Sequence, residues 1–146
     1  MAKARIPLRI AAGIFLLFAL GHTYGFLQFQ PVSEEGRLVL EQMKHVSFDF
    51  GGTTATWWGL YEGFGLSVSI SLVLSMILSW RLSRGTADPS LAQMVTGLLC
   101  GSQLANAVIC LAFFGPIQMV FSLAAAGALG WSAMSLRADA HHISNT

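Results

Sequence analysis

The chain has 146 residues, of which 54% are hydrophobic and only 10% are charged, and its formal net charge is +1. A mean hydropathy of +0.63 is too high for a soluble domain of this length. The small net charge gives no field that would attract nucleic acid. The composition therefore predicts one integral membrane domain over residues 1–146 and excludes a nucleic-acid partner.

Four apolar stretches are long enough to cross the roughly 30 Å of a bilayer's hydrocarbon core, which takes about 20 helical residues. We predict spans at residues 8–29, 54–80, 91–114 and 116–136. Pro116 suits the first turn of the last span, after the break at Gly115. The predicted fold class is all-α: a four-transmembrane-helix bundle with an outer-side amphipathic helix between spans one and two.

That additional helix is predicted over residues 33–50. Ser33, followed by two glutamates, is typical of a helix N-cap. Apolar residues then recur at helical spacing, at Val39, Met43, Val46 and Phe50. We expect this helix to lie on the membrane surface as a cover over the bundle and to end near Asp49, before Gly51 and Gly52.

The positions of lysine and arginine predict the orientation, because positive residues are retained on the cytoplasmic side. Two of the eight lysine and arginine residues, Arg37 and Lys44, lie between spans one and two. The other six lie before span one, between spans two and three, or after span four: Lys3, Arg5, Arg9, Arg81, Arg84 and Arg137. Both termini are therefore predicted to be cytoplasmic.

A cleaved signal peptide is the alternative interpretation of the first span. A basic start and an apolar run lead to Ala19, Leu20 and Gly21, which resemble a cleavage site. The apolar run continues to Phe29, which is longer than a usual signal sequence. This favours an uncleaved first helix.

Glu62, His22 and Asn106 are polar residues inside three different predicted spans. Each lies about seven or eight residues from the outer end of its span, or roughly 12 Å deep. Ionisable groups in hydrocarbon usually face a bundle interior or a wet cavity. We therefore predict Glu62 and His22 as a catalytic, proton-handling pair. The alternatives for His22 are a structural hydrogen bond and ligation of metal or haem.

Five further residues complete the predicted site as ligand-binding groups. They are Asn106, Gln103, Tyr61, Tyr24 and Trp58. The inner half of the spans has mainly serines, which can bond their own helix. The sequence thus predicts an outward-opening polar cavity that binds a small amphipathic or lipid-like molecule. For Asn106 and Gln103, hydrogen bonding between helices is the alternative.

No metal site is predicted, and the sequence identifies no cofactor. His45 lies four residues after Glu41 and four before Asp49, but a solvated helix face explains that pattern. Metal binding would require the covering helix to fold inward over Glu62 and His22. Two tail histidines, His141 and His142, are expected only to solvate the terminus.

Small residues at four-residue spacing allow close helix contact, either within the chain or with another one. The pairs are Gly59 and Gly63, Gly97 and Gly101, and Ala126 and Gly130. Membrane lipid, a membrane-protein partner and a homo-oligomer are the expected partners. Two further functions therefore stay open: a non-catalytic accessory subunit of a larger membrane complex, and a small transporter acting as an oligomer. Whether the chain is an enzyme is left open.

Two short motifs carry a family resemblance. Gly21-His22-Thr23 ends span one, and Trp57-Trp58-Gly59-Leu60-Tyr61-Glu62-Gly63-Phe64 begins span two. The layout and these motifs resemble small bacterial four-helix integral membrane proteins that have no assigned activity. The resemblance implies a bacterial cytoplasmic membrane and no particular reaction.

Overall fold

The computed structural model describes the backbone of residues 2–144 and the side chains of residues 3–138. The tail histidines His141 and His142 therefore lie outside the described side chains. Helix dominates the described residues, in the order α1 (Ala2–Leu27), α2 (Glu34–His45), β1 (Ser47–Phe50), β2 (Thr53–Thr56), α3 (Trp57–Ser83), α4 (Pro89–Phe113) and α5 (Pro116–Ser144).

Four helices in this part of the chain are long and apolar enough to cross a membrane. Their qualifying segments are Lys3–Leu27, Trp57–Ser83, Pro89–Phe113 and Pro116–Ala138. The prediction of four long apolar helices is confirmed, and the composition and helix lengths together indicate an integral membrane protein. The orientation of the chain across a membrane stays a prediction.

Local chemistry sets the boundaries of α4 and α5. The Asp88 carboxylate accepts hydrogen bonds from the backbone N–H groups of Ser90 and Leu91, so it caps α4, and Pro89 occupies the first turn. Gly115 follows α4 with a φ of 107°, a left-handed conformation that a side chain would strain. The chain can therefore turn there and start α5 at once.

The segment between α1 and α3 differs from the prediction of one helix over residues 33–50. Ser33 does cap α2, because its hydroxyl accepts from the N–H of Gly36, but α2 ends at His45. The next residues form an antiparallel hairpin in which Ser47 pairs with Thr56. Span two was predicted to start at residue 54, and α3 starts at Trp57 instead.

The hairpin turn explains why the helix stops early. Gly51 and Gly52 have φ values of 62° and 87°, and a two-residue hairpin turn with positive φ at both positions matches the twist of the paired strands. The Asp49 carboxylate accepts a hydrogen bond of 3.0 Å from the N–H of Gly52. Local hydrogen bonding and the β-branched threonines of β2 therefore outweigh the helical spacing of Phe50.

Two compact units divide the chain, and each is described separately. The first comprises Met1–Phe18 and Leu72–Thr146, and the second comprises Ala19–Ser71. Both α1 and α3 contribute residues to each unit.

In the first unit, small buried residues bring helices close together. Ala4 of α1, Ala92 of α4 and Leu136 of α5 form one buried cluster. The buried Ser132 hydroxyl donates to the carbonyl of Ala4, 3.3 Å away. Such close approach of backbones is typical of helix packing in lipid.

The small-residue pairs do not all have this role. Ala126 is buried, and the Cys100 thiol donates to its carbonyl at 3.3 Å, while a Cβ at Gly130 would lie 3.7 Å from the same sulfur. Around Gly97 and Gly101, in contrast, no described heavy atom lies within 4 Å of a Cβ position. One face of α4 is therefore open among the described residues.

Candidate functional site

The residues predicted to form the site belong to different units. His22, Tyr24, Trp58, Tyr61 and Glu62 lie in the second unit, and Gln103 and Asn106 lie in the first. Convergence of His22, Glu62 and Asn106 at one level therefore stays a prediction.

His22 contacts the backbone of α3. Its Nε2 lies 3.2 Å from the carbonyl oxygen of Gly65, and because a carbonyl only accepts, Nε2 carries the hydrogen. The Ser69 hydroxyl donates to the same oxygen at 3.2 Å, and the Thr23 hydroxyl donates to Ser69 at 2.7 Å. Two consecutive residues of α1 thus join one turn of α3, which is the geometry expected of the structural alternative for His22.

Glu62 is half-buried on α3, and no described residue donates a hydrogen bond to its carboxylate. It lies four residues after Trp58 and three before Gly65, so all three occupy neighbouring positions on the helix surface. The structure describes no bond between Glu62 and His22.

Aromatic rings surround Tyr61. Trp58 stacks on it with ring centroids 5.2 Å apart. The ring centroids of Phe26, in α1, and of Phe29, just after α1, lie 6.4 and 6.3 Å from that of Tyr61. Offset and edge contacts of this kind are favourable between aromatic quadrupoles. Tyr24 does not join them: it is 72% exposed. Two of the predicted binding residues, Trp58 and Tyr61, therefore form one aromatic surface.

A cavity of about 430 Å³ lies next to Trp58 in the second unit. It is lined by the end of α1 and the following loop, by α2, and by the first turn of α3: Leu27, Phe29, Gln30, Pro31, Arg37, Leu40, Glu41, Lys44 and Trp58. We call it the α2 cavity. Its walls are apolar and aromatic on the sides formed by α1 and α3, while α2 supplies charged groups. The cavity therefore suits a molecule that has an apolar part and a charged part.

The charges of α2 are not equivalent. Lys44 donates to the Glu41 carboxylate at 2.8 Å and lies 5.8 Å from the centre of the Trp58 ring. The hydrogen bond from Lys44, followed by its charge, lowers the pKa of Glu41 below its ordinary value. Arg37, in contrast, makes no ion pair with any described residue. The unneutralised positive charge beside the cavity is therefore that of Arg37.

In the first unit, Asn106 joins two helices. Its amide donates to the Ser122 hydroxyl at 2.8 Å, and Ser122 donates to the carbonyl of Gln118 at 3.1 Å. This agrees with the alternative of hydrogen bonding between helices. Gln103 is 7% exposed, and its Oε1 has no hydrogen-bond partner among the described residues.

Metal ligands do not gather in the part of the chain that the structure describes. No group of three or more His, Cys, Asp and Glu side chains there could hold an ion. His45 contacts Glu41 at 3.6 Å on the exposed face of α2. Neither residue is placed against His22.

The sequence prediction did not include the charged lining of the α2 cavity. Arg37 and Lys44 were used to orient the chain and were expected on polar faces of the surface helix. Leu40 lay within that predicted helix, and Pro31 lay just before it. The signal that links them is the four-residue spacing of Leu40 and Lys44, which places both on one helix face. No family model, curated protein or solved structure matches the chain.

Proposed function

We propose that the second unit binds a small amphipathic, lipid-like molecule in the α2 cavity, entering from the predicted outer side of the membrane. The observation that supports this most directly is a cavity of about 430 Å³ that combines an aromatic wall with a cationic rim. Pockets for small molecules typically have mostly apolar walls and a few polar groups that fix orientation.

The aromatic wall suits the apolar part of the ligand. Phe29 and Trp58 line the cavity together with Leu27 and Leu40. Burying a chain of methylene groups against these side chains contributes about 0.8 kcal/mol per group, so a short acyl chain is enough for measurable binding. Trp58 is held in place by its stacking on Tyr61.

The cationic rim suits an acidic head group. Because Glu41 already pairs with Lys44, the guanidinium of Arg37 is the group that can bind a carboxylate or phosphate with two parallel hydrogen bonds. The proposed ligand is accordingly an anionic amphiphile, with its head at Arg37 and its chain on Phe29 and Trp58.

In this proposal Glu62 and His22 form a second part of the site, outside the lining of the α2 cavity. Glu62 follows Trp58 by one helical turn on the same face of α3, so a bound molecule that extends along this face reaches its carboxylate. His22 holds the next turn through Gly65. In the proposal Glu62 exchanges a proton with a polar group that the ligand carries at the end opposite its acidic head, and His22 fixes the helix on which Glu62 lies.

Binding of a fluorescent polyene fatty acid, cis-parinaric acid, to the purified full chain tests the proposal. Leu40→Trp fills the cavity and should abolish binding, whereas Leu38→Trp places the same side chain on an exposed part of α2 and should leave binding unchanged. Arg37→Gln should weaken binding of the acid about fivefold, as expected for loss of one exposed charge pair. Binding of the uncharged methyl ester should not change.

Glu62→Gln addresses the proton-handling role in the same assay. A fatty acid with a terminal hydroxyl should displace cis-parinaric acid from the wild type more strongly than the same acid without the hydroxyl, and Glu62→Gln should reduce that difference. Equal effects of Leu40→Trp and Leu38→Trp would overturn the cavity as the site. An unaltered difference between the two acids in Glu62→Gln would remove Glu62 from the site.

A second candidate function is that of an accessory subunit in a membrane complex. The open space around Gly97 and Gly101 favours it, because glycines four residues apart allow a helix of another protein to approach closely. Purification in a mild detergent should then yield a complex with a second protein. A protein recovered alone at its native abundance would contradict this function. No described feature favours a transporter over these two.

A further inference from the structure

A groove in the first unit, formed by α4 and α5, has the features of a phospholipid site. It has a volume of about 400 Å³ and is lined by Ser90, Gln93, Met94, Gly97, Leu98, Ala133 and Arg137. We propose that this α4–α5 groove binds one anionic phospholipid, with the phosphate at Arg137 and Gln93 and an acyl chain along Gly97. The groove belongs to the first unit and does not depend on the α2 cavity.

The apolar half of the groove fits an acyl chain. No described atom lies within 4 Å of a Cβ position at Gly97 or, one turn further, at Gly101, so a chain can lie directly against the backbone of α4. Met94 and Leu98 beside them are 56% and 67% exposed. Filling this space with methylene groups gains the dispersion contacts that an unfilled groove lacks.

The polar half of the groove supplies hydrogen-bond donors that have no acceptor among the described residues. Arg137 and Gln93 form no hydrogen bond with any described residue. The nearby acid, Asp88, is already engaged, because its Oδ1 accepts from Ser90 and from the N–H of Leu91. A guanidinium presents a planar fork of donors that matches a phosphate.

The charge around this end of the first unit favours an anionic lipid. Arg5 packs against Gly85, where a Cβ would lie 2.9 Å from its Nη2, and Arg9 lies 5.9 Å from the centre of the Trp80 ring. These contacts place the start of α1 beside the end of α3, which also carries Arg81 and Arg84. Each basic residue near a membrane surface adds attraction for acidic lipids, worth a factor of about five.

Native mass spectrometry of the full chain with phosphatidylglycerol or phosphatidylcholine, matched in their acyl chains, tests the proposal. The wild type should retain one phosphatidylglycerol in preference to phosphatidylcholine. Arg137→Gln should reduce that preference about fivefold. Arg84→Gln removes the same charge outside the groove and should reduce the preference less than Arg137→Gln, which also removes the direct hydrogen bonds to the phosphate.

A second pair of variants tests the apolar half. Gly97→Leu fills the groove and should displace the lipid while the melting temperature stays at the wild-type value. Gly13→Leu adds the same bulk at another open helical position, on α1, and should retain the lipid. A protein partner in place of lipid would appear as a dimer or heteromer lost with Gly97→Leu.

Three results would each overturn the proposal. The first is an equal loss of the preference for phosphatidylglycerol in Arg137→Gln and Arg84→Gln, and the second is equal retention of the two lipids by the wild type. The third is a dimer or heteromer of the wild type that disappears in Gly97→Leu.

Discussion

His22 and Gly65 show how a single residue position joins α1 to α3. The carbonyl of Gly65 accepts from both His22 and Ser69, and the missing side chain of Gly65 is what lets Phe26 approach. A Cβ at that position would lie 3.0 Å from two carbons of the Phe26 ring. The contact therefore depends on a glycine as much as on the histidine.

Gly65→Ala should destabilise the protein. Phe26 is 8% exposed and also contacts the rings of His22 and Tyr61, so it has little room to move away from an added methyl group. Overpacking of this kind costs about 1–3 kcal/mol. Unfolding by SDS in mixed micelles, followed by circular dichroism, measures the difference.

Gly63→Ala on the same helix is the control. No described atom lies within 4 Å of its Cβ position. Its stability should be unchanged or raised by up to about 1 kcal/mol, because alanine is the better helix former. If the two alanine variants unfold alike, close packing of Phe26 on Gly65 is not what stabilises this contact.

The sequence could indicate His22 but not its partner. A histidine in an apolar span stands out because ionisable groups are rare in hydrocarbon. Its acceptor is a backbone carbonyl, which every residue has, so nothing in the sequence marks Gly65. Asn106 is similar. Its amide indicated a hydrogen bond between helices, but the acceptor is the hydroxyl of Ser122, and nothing in the sequence distinguishes this serine from the many others.

Among the elements, the segment between α1 and α3 was the least predictable. The Ser33 cap was correct because capping is local chemistry. The end of the helix was wrong because Val46 and Phe50 fit a helical period and a strand alternation equally well over so few residues. The pair Gly51 and Gly52 followed by threonines was the available signal for a hairpin.

The cap of α4 gives a prediction with a pH dependence. Hydrogen bonds from Ser90, then from the N–H of Leu91, lower the pKa of Asp88 below its ordinary value of 3.8. A carboxyl whose pKa is lower in the folded state stabilises the fold above its unfolded pKa, and this contribution disappears as the pH falls through the folded pKa. Asp88→Ala should therefore lower the melting temperature at pH 7 but have a diminishing effect below about pH 4.

Asp88→Asn separates the charge from the cap. Asparagine accepts the same hydrogen bonds without titrating, so the variant should stay close to the wild type in acid. Melting curves in detergent between pH 3 and pH 7 measure both variants. A constant difference between Asp88→Ala and the wild type over this range would contradict the assigned role.

For the whole molecule, the lengths and positions of the apolar stretches were sufficient to predict four long apolar helices. Their length is a physical requirement of the bilayer, and any sequence that meets it is visibly apolar. The sequence did not predict which helices contact each other. In lipid the hydrophobic effect does not drive helices together, so the contacts depend on small residues, and these occur on every span. Ala126 is buried in such a contact and Gly97 is open, although their spacing patterns are alike.

The orientation of the molecule is the remaining prediction, and basic residues carry it. Arg5 and Arg9 lie beside the end of α3 in the first unit, so these charges act at one end of the helices rather than being scattered. Retention of positive charge on the cytoplasmic side then places Thr86, in the loop before α4, inside, and Glu35 of α2 outside.

Single cysteines at these two positions test the orientation, in a chain whose natural Cys100 and Cys110 are replaced by alanine. A membrane-impermeant maleimide added to intact cells should label Glu35→Cys and should label Thr86→Cys only after the membrane is permeabilised. The opposite labelling would reverse the chain. The α2 cavity would then open to the cytoplasm, and the proposed ligand would have to come from inside the cell.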